Sequence, residues 1–196
     1  MKKDHQIFIL LSNPTTIIAK MIGLYTKAPY NHASIAFDPE LRELYSFGRK
    51  HPIIPVIGGF IKEDIHSGFF ERATCAVYSC SVSKDTYDKM RSYVKQVEEN
   101  NDMYGYNFLG ILGIVLNLEL GGERTFFCSQ FVCSVFQKAG VQLLDKSAGL
   151  TTPEDLSNSS YLKLDFRGNM ETYRRIYCYR TNVASPIDNN SLYIAN

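Results

Sequence analysis

The chain opens on an apolar run, QIFILLS at residues 6–12, which reads as a buried strand. Asn13-Pro14 then has the form of an N-cap with proline at the first helical position, and TTIIAKMIGLYTK (15–27) continues with the spacing of an amphipathic helix. In APYNHASIAFDPELRELYSFGRK the pattern predicts two strands, roughly 31–37 and 43–48, joined around Asp38-Pro39. Proline and glycine dominate residues 51–70, predicting an irregular loop with a short strand at 59–62. TCAVYSCSVS is a strand. Ser83 can cap the helix after it, where Tyr87, Met90, Val94 and Val97 recur at helical spacing down to Asn100.

The second half reads as helix, helix, then strands. The apolar run after Tyr104 predicts a buried helix broken at Gly121-Gly122, and a further helix starts at Cys128 and is capped by Gly140. TTPEDLSNS resembles another capped turn, YLKLDF and RRIYCYR read as closing strands, and the tail from Asn182 is polar. No internal repeat or low-complexity segment appears. The expected fold is α+β: a mostly antiparallel sheet packed with helices, in one domain over 1–181 with a polar tail over 182–196.

Composition narrows the function classes. With 196 residues, 45% of them hydrophobic, one core of reasonable size is expected. The balance of 21 Lys+Arg against 20 Asp+Glu gives no basic stripe, which argues against nucleic acid as a partner. With 13 Tyr and 12 Phe the chain is not of the disordered class. The apolar run Ile7–Leu11 is shorter than the ~7–15 residues of a signal-peptide core. The longest apolar stretch, 106–118, falls short of the ~20 residues of a membrane span, which leaves contact with a membrane surface but no crossing. Five cysteines, an odd number without CxxC spacing, predict neither a disulfide framework nor a zinc site. A cytoplasmic protein without metal or cofactor is the expectation; oligomeric state is not legible.

Two cysteines stand in TFFCSQFVCSVFQKAG (125–140). On a helical projection from Cys128, Phe131, Val132, Val135, Phe136 and Ala139 share its direction, so Cys128 heads the buried stripe. At a helix start the amides lack intrahelical partners, and they and the helix dipole favour a thiolate over a thiol. The same amides can hold an oxyanion after attack on a carbonyl. Cys133 flanks the stripe and reads as packing. Cys75, Cys80 and Cys178 fall in strand patterns and read as structural.

A cysteine nucleophile needs an imidazole. Of four histidines, His5 adjoins the terminus and His51 and His66 lie in the Pro/Gly-rich region, but His32 opens a strand. Alternation in NHASIAF puts His32, Ser34 and Ala36 on one small, polar face suited to a cleft floor. A third group on the neighbouring strand would fix the imidazole tautomer. An even register brings Ser46 to that face, an odd one Glu43 or Tyr45, and sequence alone leaves both open.

A strand-opening histidine in YNHASIAFD, followed about a hundred residues later by the helix-opening cysteine of FFCSQFVCSVF, resembles the circularly permuted branch of the NlpC/papain-like superfamily. These are the YiiX-like amidases related to the lecithin–retinol acyltransferases, in which the histidine strand precedes the cysteine helix. YGYNFLG (104–110) and TTPEDL (151–156) are similar to segments flanking that family's nucleophile, and the likeness covers roughly residues 6–180. It implies a permuted papain-like fold and a thiol hydrolase (amidase or peptidase) acting through an acyl-enzyme, with Cys128 as nucleophile and His32 as base. Ser46 is implied as third member, Glu43 as its alternative, and Tyr106, Tyr104 and Ser129 as oxyanion or substrate groups. Gln130 departs from the acidic residue common in the family, and a serine at 46 orients an imidazole more weakly than a carboxylate. The expected partner is a small-molecule, peptide or acylated substrate. The competing expectations are an acyltransferase of the lecithin–retinol type, although FFCSQFV is not that branch's motif, and a binding module that kept the fold without the chemistry.

Overall fold

A computed structural model of the protein describes residues 4–14, 28–49 and 58–178. The expected helix over 15–27 and the tail over 182–196 lie outside these. Six strands form one sheet: β1 (His5–Asn13), β2 (His32–Ala36), β3 (Leu44–Arg49), β4 (Gly58–Glu63), β5 (Thr74–Val82) and β8 (Lys163–Asn169). Their order is β4-β3-β2-β1-β5-β8, with every neighbour antiparallel. Two short strands, β6 (Gly105–Tyr106) and β7 (Thr125–Phe126), pair in parallel beside it. The α+β class with a mostly antiparallel sheet is as expected.

β1 lies in the middle of the sheet and is buried on both faces, which is why QIFILLS shows no alternation. Its odd positions, Ile7, Ile9 and Leu11, join a core with α1 (Lys84–Glu99) and α3 (Cys128–Lys138). Met90, Val94 and Val97 of α1 and Phe131, Val132, Val135 and Phe136 of α3 fill that layer. The even positions, Phe8 and Leu10, face a second, smaller core closed by Ile65, Phe70, Met170 and Tyr173. Local signals agree with this layering. Ser83 Oγ accepts the Thr86 N–H at the start of α1, Gly140 (φ 81) follows α3, and Thr152 and Asp155 cap each other's amides at α4 (Pro153–Ser157).

Three expectations are corrected. In the Pro/Gly-rich segment the strand expected at 59–62 runs one residue further at each end: it is the edge strand β4, paired with β3 over its whole length and reaching Glu63. The described part of RRIYCYR, Arg174–Cys178, is not a strand. Asn169 accepts the Thr172 N–H at 2.8 Å and starts a one-turn helix, α5 (Met170–Tyr173), which passes into a wide π-turn over Arg174–Cys178. Tyr173 is thereby buried and donates its hydroxyl to the Pro39 carbonyl at 2.6 Å.

The third correction concerns the apolar run after Tyr104. It forms α2 (Phe108–Leu116), ended by Asn117 in the left-handed region (φ 54), but this helix is not buried. Gly110 and Gly113 face inward, where the Asn107 side chain and the Leu118 carbonyl leave no room for a Cβ, and the leucines are turned outward. Among the described residues no helix is long and apolar enough to cross a membrane.

Candidate active site

The site lies where β2 and β3 part. These strands pair only at Ile35–Tyr45 and Ala36–Leu44, after which β3 continues alongside β4 alone. The first residues of β2 are left open on that edge, and the start of α3 fills the opening. Because Ala36 faces Leu44 and Leu44 faces Glu63, the two-residue period brings His32, Ser34, Ser46 and Glu63 to one face. The even register holds, and the small polar face read from NHASIAF is the wall of this site.

Cys128 is the first residue of α3. Phe127, at the N-cap, offers no side-chain acceptor, so the first-turn amides are not consumed by an ordinary cap. Gln130 instead turns back to accept the Phe127 N–H at 3.3 Å and an Asn107 amide hydrogen at 3.1 Å. Gln130 thus braces the turn that carries Cys128. The Cys128 sulfur accepts hydrogen bonds from the backbone N–H groups of Ala33 and Ser129 and from the His32 ring.

His32 Nε2 lies 2.7 Å from Glu63 Oε1, which leaves Nδ1 as the ring nitrogen free to serve the sulfur. Ser46 Oγ donates to the same Glu63 oxygen at 2.9 Å, and Ser34 Oγ donates to the other at 2.5 Å. His32, Ser34, Ser46 and Cys128 are all buried, and Glu63 exposes only 6% of its side chain. A carboxylate at that depth requires compensation, and three donors provide it.

Electrostatics follow the geometry. Burial disfavours a charged imidazole, but the Glu63 carboxylate and the hydrogen bond to Cys128 outweigh it and carry His32 to about 10. Burial likewise favours the neutral thiol, and the His32 hydrogen bond and charge with the two amides reverse this, holding Cys128 below the usual thiol value. For Glu63, burial is outweighed by His32, Ser34 and Ser46, and its pKa is lowered. The arrangement favours a thiolate–imidazolium pair backed by a carboxylate. Elsewhere burial dominates: it pushes Cys133 up to about 11, against a hydrogen bond with Thr151, and alone carries Cys75 to about 12.

The other candidate residues fall as follows. Ser46 shares the His32 face but holds Glu63 and does not orient the imidazole itself. Glu43 is not a third member. It points along the helix side of the sheet and takes a two-pronged ion pair with Arg91 of α1. The Ser129 hydroxyl is turned away, donating to the Thr151 carbonyl at 2.7 Å; only its amide reaches the sulfur. Tyr104 packs on Phe47 and Phe126, and Tyr106 lies with its Cβ over Gly58.

Glu63 was missed because the strand read at 59–62 stops one residue short of it. Carrying the alternation Gly59, Ile61 one step further would have placed a carboxylate on the site face. Phe69, from the one-turn 3-10 helix Gly68–Phe70, sets its ring edge-on to His32 at 5.7 Å, so the 64–70 segment does rim the site. Among the described residues, no group of three or more His, Cys, Asp or Glu is placed to hold a metal ion. No protein-family model matches the chain, and no curated protein shows significant sequence similarity to it.

Proposed function

We propose that the protein is a thiol hydrolase that cleaves an amide or ester through an acyl-enzyme on Cys128. The observation that carries this reading is the buried series Cys128–His32–Glu63, in which one imidazole has both the thiol and the carboxylate as partners. In the reaction the thiolate attacks the substrate carbonyl carbon and the carbonyl electron pair moves to oxygen. The oxyanion forms beside the first turn of α3, where free N–H groups and the positive end of the helix dipole favour it. Collapse of the tetrahedral species breaks the bond to the amine or alkoxide, which takes its proton from His32. The imidazole, now neutral, removes a proton from water, and hydroxide attack on the thioester frees the acid and returns the thiolate and imidazolium. Glu63 holds the ring and its charge throughout.

The chain order, histidine strand before cysteine helix, supports a permuted papain-like arrangement in the manner of the YiiX-like amidases. The binding-module alternative drew on a missing carboxylate, and Glu63 removes that ground. Chloroacetamide labelling followed by peptide mapping tests the reading. Cys128 should label far faster than Cys133, and His32→Ala should abolish the difference. Equal rates in the intact protein would refute it.

A further inference from the structure

We infer that the outward face of α2 and the turn after it dock the protein onto the apolar surface of a lipid bilayer. Leu109, Leu112 and Leu116 project from α2 with 61%, 49% and 64% exposure, and Leu118 and Leu120 add 53% and 37% from the following turn. Side chains this apolar are ordinarily turned inward. Here the inward positions are the glycines 110 and 113, and the leucines have been placed outside.

Two observations favour lipid over protein as the occupant. The first is area. The five leucines expose the equivalent of about two and a half whole residues, an apolar patch of a few hundred Å². Each partner of a stable pair buries ~800 Å², so the face is too small for a second copy, whereas hydrocarbon needs no complementary shape. The second is charge. From Tyr104 to Leu118 the chain carries no charged side chain. The one acid between the turn leucines, Glu119, is exposed but turns its carboxylate to the Ser147 hydroxyl, from which it accepts at 2.8 Å beside Gly149. An uncharged face matches the uncharged interior of a bilayer and asks nothing of the headgroup.

The face adjoins the site. Asn107, the N-cap of α2, hydrogen-bonds Gln130 in the first turn of α3, so docking would hold the Cys128 turn near the bilayer surface. The inference does not depend on the hydrolase reading, since binding needs no turnover.

The chain has no tryptophan, so Leu112→Trp installs a single fluorophore at the centre of the face. With phosphatidylcholine vesicles its emission should shift to the blue and be quenched by bromine-labelled lipid, equally at low and high salt. Adding Leu109→Ser and Leu116→Ser should lower the vesicle partition coefficient roughly a hundredfold. The thermal melt and the Cys128 alkylation rate should stay unchanged in buffer. Emission indifferent to vesicles would overturn the inference, as would a shift that survives both serines. So would emission already blue in buffer, which would mean that the chain itself or a second copy covers the face; sedimentation tells those two apart. If the double variant is unstable, Leu109→Ser and Leu116→Ser tested singly must each weaken partitioning.

Discussion

Glu63→Gln isolates charge from shape. The amide has nearly the size of the carboxylate, and its oxygen can still accept from His32 Nε2 and Ser46. What disappears is the negative charge beside a ring that the site carries from 6.5 to about 10, a preference of about 5 kcal/mol for the imidazolium. Two unit charges roughly 4 Å apart at an effective dielectric of about 20 attract by ~4 kcal/mol, so Glu63 accounts for most of that preference. Without it the His32 pKa should fall by about three units, toward neutrality. The thiolate then loses its counter-ion over the same range. The assay is the rate of chloroacetamide alkylation at Cys128 against pH. The intact protein should alkylate appreciably near pH 6, well below the free-thiol value of ~8.5. In Glu63→Gln the midpoint should rise by roughly two units, while Cys133 stays slow in both. A midpoint that moves by less than about half a unit would refute the reasoning, because the ion pair would then not rest on the carboxylate.

Further outcomes follow from the same geometry. Above 6.5 the unfolded chain holds one proton on this pair, on sulfur, and the native pair also holds one, on the ring, so stability should be flat from there up to the free-thiol value of ~8.5. Below 6.5 the unfolded chain gains a second proton and stability should fall. From ~8.5 to about 10 it should fall again, as the unfolded chain loses its proton first. In Cys128→Ala only the raised His32 remains, so denaturant melts should show stability declining steadily from 6.5 toward the native His32 value; a flat profile in that variant would contradict the pairing. Ser46→Ala removes one donor from a buried carboxylate and should cost ~1–3 kcal/mol in urea unfolding, with the histidine–sulfur pair still formed and Cys128 still the fastest-labelled cysteine. Glu43→Ala breaks a half-exposed pair with Arg91 and should change stability by no more than ~1 kcal/mol, leaving the alkylation profile of Cys128 untouched.

The paired cysteine and histidine were legible because each sits where one-dimensional pattern and chemistry coincide: a cysteine heading an apolar stripe at a helix start, and a histidine opening a strand with a small polar face. The third was not. Its identity depends on register, and a period of two offers Ser46 and Glu43 equally until pairing fixes Ala36 against Leu44. Glu63 lies one strand further out, where two successive registers must both be known. The α2 face failed for a different reason. Hydrophobicity says that a segment avoids water; it does not say whether the covering surface belongs to the same chain, and the small inward glycines were the only sign that it does not. RRIYCYR imitates strand alternation, and the Asn169 cap that starts a helix beforehand overrides it.

The central claim is that Cys128 carries an acyl group in turnover. Mixing the protein with an activated ester, quenching in acid and weighing the intact chain tests it directly. The account predicts one added acyl group, located on Cys128 by peptide mapping, that builds up quickly and disappears as ester is exhausted, and that is absent from His32→Ala on the same timescale. An unmodified chain under conditions of ester hydrolysis, or an acyl group on Cys133 in its place, would contradict it.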